Sequence, residues 1–278
     1  MIRSNRGLWP AGLLVGGLLA ASFGGLVSRS LRPGRLVGGR LGLDAWRRVL
    51  ADDGFWDAML FTLGVALVAT VVAVVLAVPL GIAVRDAGPV GRSMMVALVP
   101  VPHLVVAATT VAWLGPGQLV DRIVDVPSAL GGRSAAAVVL VYVVKEVPFL
   151  VLIVAAAIDS TTRGLEDAAS TLGATRWHRW RFVLFPQLTK PVAFGALIVA
   201  AYAVGSTEIP LVLGPLRPEA LTTHALTITR VRGPVARADA AVVLVLTSLL
   251  VATLVGIVMV LVHRPRKGSS QHRRGLSA

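Results

Sequence analysis

The chain has 278 residues, of which 55% are hydrophobic and 15% are charged, and its mean hydropathy is +0.79. Because a soluble core does not need this much apolar surface, the excess must face lipid. The net charge of +13 comes from basic residues spread over loops and the edges of apolar segments, which favours membrane orientation over nucleic-acid binding. The absence of cysteine excludes disulfides, thiolate metal sites and cysteine nucleophiles.

Long apolar stretches predict an all-α polytopic integral membrane protein with six transmembrane helices. A helix needs about 20 apolar residues to cross a bilayer. By that measure the predicted spans are residues 8–27, 58–84, 94–114, 134–158, 192–213 and 238–262. The first span is interpreted as a retained helix and not a cleaved signal, because its apolar run is long and no A-x-A pattern closes it.

The distribution of arginine and lysine predicts that both termini are cytoplasmic. With this orientation the inner segments carry slightly more basic residues than the outer ones, as the positive-inside rule requires. The first outer connection opposes the prediction, since it carries Arg29, Arg32, Arg35, Arg40, Arg47 and Arg48. Residues 41–56 of that connection are compatible with a surface helix anchored by Trp46 and Trp56, and equally with a solvated connector.

The predicted spans divide the chain into three regions. Residues 1–57 comprise the N-terminal transmembrane helix and the Arg-rich extracytoplasmic loop. Residues 58–262 form a core of five transmembrane helices, with a polar cytoplasmic loop at 159–190. Residues 263–278 form a basic cytoplasmic tail that is too polar to bury a core and is expected to lie near anionic lipid headgroups.

Ionisable side chains within spans are costly, and they are usually paired or functional. In the predicted spans they are His103, Lys145, Glu146 and Glu208. Lys145 and Glu146 are adjacent, so on a helix they project about 100° apart and are expected to pair with different neighbours. A structural ion pair and a role in a transport pathway both remain open for them, whereas His103 is interpreted as a hydrogen-bonded packing residue.

The loop after the fourth span contains a predicted short helix. A hydroxyl residue at 160–162 can cap its N-terminus. Glu166 and Asp167 then fall in or near the first turns, where the helix dipole favours negative charge. Gly173 is expected to end the helix, because glycine readily adopts the left-handed conformation of a helix C-terminus.

One face of this predicted helix is narrow and carries small residues. The residues at helical spacing on that face are Leu165, Ala168, Ala169 and Leu172. Such a face could lie deep in a cleft of another protein, because no large side chain prevents a close approach. Thr175 is expected to cap a second helix that ends before Pro186 and whose aromatic face contains Trp177 and Trp180.

The order of an acidic residue, Ala168, Ala169, three residues, Gly173 and then Pro186 resembles the EAA loop of binding-protein-dependent ABC importer permeases. The resemblance extends over most of the chain from the second span onward. It implies a type I ABC importer permease fold, in which residues 159–190 form a coupling helix that docks into a groove on a cytoplasmic ATPase. The implied ATPase-coupling residues are Glu166, Asp167, Ala168, Ala169, Leu172, Gly173 and Pro186. Asp167 stands where glutamate is usual in the family.

The resemblance also implies the partners and the location of the chain. They are cytoplasmic ABC ATPase subunits, a second permease that is a copy or a paralogue, and an extracytoplasmic solute-binding protein, in a bacterial inner membrane. The chain itself is not expected to be an enzyme or to hold a cofactor or metal. No lysine lies in a G-x-x-x-x-G-K-[ST] motif, and no H-E-x-x-H or G-x-S-x-G pattern occurs.

A second resemblance concerns the cargo. The segments at 145–149 and 205–214 look similar to permeases of the polyamine, iron and thiamine importer group. This implies a small hydrophilic solute, and a carboxylate at Glu208 would suit a cationic one such as spermidine or putrescine. Gly205 and Pro210 interrupt the helix around Glu208, which would expose backbone groups to a cavity.

Two other functions compete with the importer prediction. In a stand-alone ion-coupled secondary transporter, Lys145, Glu146 and Glu208 would form the ion-coupling site, but the loop at 159–190 would have no explanation. In a membrane-embedded enzyme, His103 and carboxylates would be catalytic, but no ligand or nucleophile spacing supports that function.

Overall fold

The computed structural model describes residues 8–32, 41–123, 127, 130, 132–158, 160–232 and 236–263. Within those ranges the ordered elements are helical and no strand occurs, which confirms the all-α prediction. The basic tail predicted at 263–278 lies outside the described residues from position 264 onward.

The helices are numbered in chain order. Their bounds are α1 Leu8–Ser30, α2 Asp44–Leu50, α3 Asp53–Asp86, α4 Gly88–Leu98, α5 His103–Leu114, α6 Ala135–Ala157, α7 Ser160–Thr171, α8 Arg176–Arg179, a π-helical turn Trp180–Leu184, α9 Phe185–Gly205, α10 Glu208–Leu213, α11 Leu221–Arg232 and α12 Arg237–His263. Five stretches of the described residues are long and apolar enough to cross a membrane, and α4 with α5 makes a sixth if that bent pair is one span.

Helix α6 lies at the centre of the bundle, between α3 and α9. The buried core around it includes Val138, Val141 and Tyr142 of α6, Ala69 of α3 and Val204 of α9. These helices are apolar around most of their circumference, so burial against neighbours and contact with lipid together cover their surface.

Two glycines allow the close helix contacts around α6. A Cβ atom at Gly81 of α3 would lie 2.5 Å from the Val154 side chain. One at Gly195 of α9 would lie 2.8 Å from Leu150 and 2.7 Å from Ile153. Real Cβ atoms do not approach this closely. At Gly81 the Val154 Cβ atom itself is in the way, so α3 and α6 could not pack as they do with a larger residue there. At Gly195, by contrast, the side-chain ends of Leu150 and Ile153 would have to shift.

The third span differs from the prediction of one helix over 94–114. The chain instead forms α4 and α5, which are bent by 89° relative to each other. The break contains Pro100 and Pro102, which lack a backbone N–H and restrict the residue before them. The N–H groups of Val105 and Val106 donate to the Pro102 carbonyl, so α5 begins immediately after the second proline.

The fifth span also differs from the predicted range of 192–213. Helix α9 begins at Phe185 and ends at Gly205, and α10 is a separate helix beginning at Glu208. Pro186 was predicted to end the preceding segment, but it lies in the first turn of α9. Proline is favoured in the first turn of a helix because its fixed φ suits that position. The π-helical turn joins α8 to α9, so the helical path is continuous.

The loop after α1 contains a short helix, α2, rather than a helix over all of 41–56 or a connector without secondary structure. Asp52 limits the extent of α2, because its side chain caps α3 by accepting from the Gly54 N–H at 3.0 Å. Trp46 donates its indole N–H to Ser30 at 3.3 Å. Trp56 donates to the Leu50 carbonyl at 3.0 Å. Both tryptophans therefore brace the loop through protein contacts.

Candidate functional site

The loop between α6 and α9 is the candidate coupling site, and we call residues 160–184 the loop segment. Ser160 is the first residue of α7, so residues 160–162 lie within the helix and not before it, where a capping residue was predicted. The first turn of α7 contains no acidic residue. Glu166 and Asp167 lie one turn further along, so the helix dipole does not account for their positions.

Gly173 ends α7 as predicted. Its φ is +80°, which lies in the left-handed region that side chains with a Cβ atom rarely adopt. The Gly173 N–H donates to Ser170 and the Ala174 N–H donates to Ala169, so two free carbonyls at the helix end are satisfied. Thr175 caps α8 by accepting from the His178 N–H at 3.3 Å, which confirms the second predicted cap.

The adjacent carboxylates of α7 have different surroundings. Glu166 accepts a hydrogen bond from Nη1 of Arg85 at 2.8 Å, which ties α7 to the end of α3. Only 16% of the Glu166 side chain is exposed. Asp167 is exposed, and its backbone carbonyl accepts from the hydroxyl of Thr171. The ion pair with Arg85 was not predicted, because the two residues are 81 positions apart in the sequence.

Large apolar side chains remain exposed along the loop segment. The exposed fractions are 47% for Leu165, 88% for Leu172, 66% for Trp177 and 69% for Phe182. Ala168 is exposed and Ala169 is half-buried. A helix that only connects two spans gains nothing from exposing these groups, so the arrangement favours contact with another protein or with the membrane surface.

Both ends of the loop segment are anchored to the spans by one apolar cluster. Its buried members are Val154 and Ile158 before α7, and Leu184 and Leu188 after it. Partly buried side chains of α3, α6, the π-helical turn and α9 pack against it. Apolar packing therefore holds the segment at its two ends, and the ion pair of Glu166 with Arg85 holds it between them.

Lys145 and Glu146 each hold one half of the bent pair formed by α4 and α5. Lys145 Nζ donates to the Val99 carbonyl at 2.7 Å, at the end of α4. Glu146 pairs with His103 Nε2, the first residue of α5, at 2.9 Å. The His103 ring also stacks on Tyr202 of α9, with centroids 4.3 Å apart. These contacts confirm that the adjacent residues have different partners and that His103 is a hydrogen-bonded packing residue.

Glu208 is not hydrogen-bonded to that network, although it lies within electrostatic range of Tyr202. It is the first residue of α10, its side chain is exposed, and it makes no hydrogen bond or ion pair with the described residues. The helix break before it is confirmed, since Ser206 and Thr207 are not helical. In the described part of the chain, the three predicted pathway residues therefore do not contact one another.

A polar cluster at the end of the bundle opposite to the loop segment was not predicted. Arg48 of α2 pairs with Asp239 of α12 at 2.6 Å, and this hydrogen bond raises the pKa of the Arg48 guanidinium. Nearby, His224 of α11 hydrogen-bonds Glu219 at 2.9 Å. Arg48 and Asp239 are 191 residues apart, so no local pattern could have indicated their contact.

Comparison with known proteins identifies the family of this arrangement. Residues 71–268 match the family described as "Binding-protein-dependent transport system inner membrane component". The chain belongs to this family. An inner membrane component with several apolar helices is a multi-pass membrane protein, in agreement with the spans described above.

Relatives of this inner membrane component include three named permeases. It is 25% identical over 190 residues to the inner membrane ABC transporter permease protein YnjC of Escherichia coli, covering 67% of this chain. It is 32% identical over 155 residues to a probable molybdenum ABC transporter permease of Haloferax volcanii, covering 53%. It is 26% identical over 166 residues to the trehalose transport system permease SugA of Mycobacterium tuberculosis, covering 57%. The matches span 37%, 55% and 53% of the relatives' own lengths.

Solved structures share the fold of this inner membrane component. A chain of a bacterial ABC transporter that imports the acidic polysaccharide alginate has a TM-score of 0.71 at 16% identity, covering 94% of this chain and 96% of that one. A chain of the inward-facing MetNI methionine ABC transporter has a TM-score of 0.57 at 20% identity, covering 78% and 98%. These similarities confirm the predicted permease fold.

Proposed function

We propose that the chain is the membrane-spanning permease subunit of an ATP-driven ABC importer in a bacterial inner membrane, with both termini in the cytoplasm. Membership of a binding-protein-dependent transport family supports this function. The observation that carries it is the loop segment, in which a helix between two spans exposes Leu165 and Leu172. Exposed apolar groups of this kind mark protein interfaces, and the occupant we propose is a cytoplasmic ATPase.

In this function the chain works together with further subunits. Nucleotide binding would close two ATPase subunits, and their movement would displace α7 and tilt the spans, so that the cavity opens to alternate sides. A second permease, either a copy or a paralogue, would complete the cavity. An extracytoplasmic solute-binding protein would deliver the cargo. An alginate transporter of similar fold, solved in complex with an alginate pentasaccharide-bound periplasmic protein, supports that role by analogy.

The docking proposal is tested by replacing an exposed leucine in the loop segment. Leu172→Asp should abolish co-purification of the ATPase, because a charge would replace a side chain that is 88% exposed and apolar. Leu216→Asp is the matched control, since Leu216 is 77% exposed but lies between α10 and α11. Retention of the ATPase by the Leu172 variant at the level of the control would contradict docking at this surface.

For the cargo, we propose a small hydrophilic solute that is cationic, such as a polyamine. The support is the exposed carboxylate of Glu208 beside the break between α9 and α10, without a hydrogen bond or ion pair among the described residues. The names of the relatives and structures refer to molybdenum, trehalose, alginate and methionine. Because these cargoes differ widely in charge, the cargo has to be inferred from this chain's own residues.

Uptake of radiolabelled spermidine by cells that express the whole transporter tests this cargo. Glu208→Gln should lower the uptake strongly while the protein still assembles in the membrane. Asp57→Asn is the control, because Asp57 is an exposed carboxylate of α3 and not of the break between α9 and α10. Normal uptake by the Glu208 variant would leave Glu208 with a packing role, and no uptake by the unmodified transporter would exclude spermidine.

The secondary-transporter alternative is not favoured. Its ion-coupling site requires Lys145, Glu146 and Glu208 to act together, but Lys145 and Glu146 have other partners. Family membership also favours transport over enzymatic chemistry. Uptake in proteoliposomes that depends on ATP and not on a proton gradient would separate the importer from the secondary transporter.

A further inference from the structure

The end of α3 and the middle of α7 are joined by side chains of alternating charge. Arg85 and Asp86 are the last two residues of α3. Arg163 and Glu166 lie three residues apart on α7, so they share one face of that helix. Arg85 pairs with Glu166 at 2.8 Å and with Asp86 at 2.7 Å. Arg163 lies within electrostatic range of Asp86.

The pair between Arg85 and Glu166 is the shielded part of this group. The exposed fractions are 12% for the Arg85 side chain and 16% for Glu166, compared with 64% for Asp86. A pair withdrawn from water is screened less by salt than an exposed one, and its hydrogen bond is directional. The pair can therefore hold α7 in one orientation. Apolar packing at the two ends of the loop segment is not directional and fixes that orientation less well.

Asp167 has the opposite environment. Consecutive residues of an α-helix project about 100° apart, so Asp167 points away from the face that Glu166 turns toward α3. Asp167 is exposed, as are Ala168 and Leu172. Among the described residues, Glu166 is the α7 side chain that forms an ion pair with another helix.

We infer that the pair of Arg85 and Glu166 orients α7 on the end of α3, so that Glu166 is a positioning residue within the chain. Asp167 keeps the partner-facing role that belongs to the proposed function. The role of Asp167 rests on the proposed function, because the partner is the ATPase. The role of Glu166 does not, since its contact lies within the chain. The two adjacent acids therefore serve different purposes, although they are nearly identical in chemistry.

The orientation of α7 can be measured on the purified full chain in lipid nanodiscs. The chain has no cysteine, so cysteines introduced at Ala83 of α3 and Ser170 of α7, both exposed, can be spin-labelled and their separation measured by pulsed electron paramagnetic resonance. We expect a narrow distance distribution in the parent. It should broaden in Glu166→Gln and in Arg85→Gln. It should become narrow again in the charge swap Arg85→Glu/Glu166→Arg, made together with Asp86→Asn so that no second carboxylate adjoins position 85. Asp167→Asn is the matched control and should remain narrow.

Two results would overturn the positioning role. One is a distribution in Glu166→Gln as narrow as in the parent. The other is a swap variant that elutes as a folded protein and stays as broad as the single variants. Because this measurement uses no partner, it does not depend on whether an ATPase binds.

Binding of the ATPase to the same variants tests the division between the two acids. Glu166→Gln should weaken binding by about fivefold or more, and the charge swap should restore it. Asp167→Asn should weaken binding while leaving the distance distribution narrow. Full binding by the Asp167 variant would overturn its partner-facing role, and no binding by the unmodified chain would instead refute the proposed function.

Discussion

The same types of residue have opposite environments in the interior around α6 and in the loop segment. In the interior, Gly195 is in close contact with Leu150 and Ile153, and Glu146 is hydrogen-bonded to His103. In the loop segment, a Cβ atom at Gly164 would meet nothing within 4 Å, and Asp167 is exposed. The extent of burial therefore distinguishes side chains that hold the bundle together from side chains that are available to a partner.

The largest expected difference in stability between the two regions comes from replacing one glycine by leucine in each of them. Gly195→Leu should lower the free energy of unfolding by about 3 kcal/mol, because the new side chain overlaps α6 and forces it apart from α9. Gly164→Leu should change it by less than about 1 kcal/mol, since the space around Gly164 is open. Unfolding in a titration of denaturing detergent measures both, and equal midpoints would contradict the packing described here.

A smaller difference is expected for acidic residues. Glu146→Leu should destabilise the chain by about 2 kcal/mol, because the His103 ring loses its hydrogen-bond partner in a partly buried site. Asp167→Leu should have almost no effect on the stability of the isolated chain, since surface changes usually stay within about 0.5 kcal/mol. The same detergent titration applies. A larger loss for the Asp167 variant than for the Glu146 variant would reverse the comparison.

The smallest expected effect lies within the loop segment itself. Gly173→Ala should cost about 1 kcal/mol, because an alanine is strained at the φ of +80°. Gly164→Ala should instead gain about 0.5 to 1 kcal/mol, since alanine favours the helix interior. A Cβ atom meets nothing within 4 Å at either site. A difference in thermal midpoint between the two variants therefore reports the effect of the backbone conformation and not of steric contact. Identical midpoints would show that Gly173 is not needed to end α7.

Much of the fold could be predicted because its signals are local. Apolar runs of sufficient length indicate the spans, and Gly173 and Thr175 mark helix ends through their own conformational and hydrogen-bonding preferences. Prolines were less informative. Pro186 was interpreted as a helix end but lies in the first turn of α9. The break at Pro100 and Pro102, with an angle of 89° between α4 and α5, was not predicted.

The candidate site was only partly predictable. The residues of the loop segment could be named from their spacing, but their exposure could not. Lys145 was expected to have a partner of its own, yet that partner is the backbone carbonyl of Val99. Every residue carries such a carbonyl, so nothing in the sequence singles out the one that is used.

By itself the sequence determined the membrane class, the helical architecture and the presence of a helix with small residues between two spans, because length, composition and short-range spacing act within a few turns of chain. The tertiary structure alone decided which charges meet. Arg85 reaches Glu166 across 81 residues and Arg48 reaches Asp239 across 191, and such pairs depend on how helices pack in space. That packing assigned one of two adjacent acids to a contact with the end of α3 and left the other exposed.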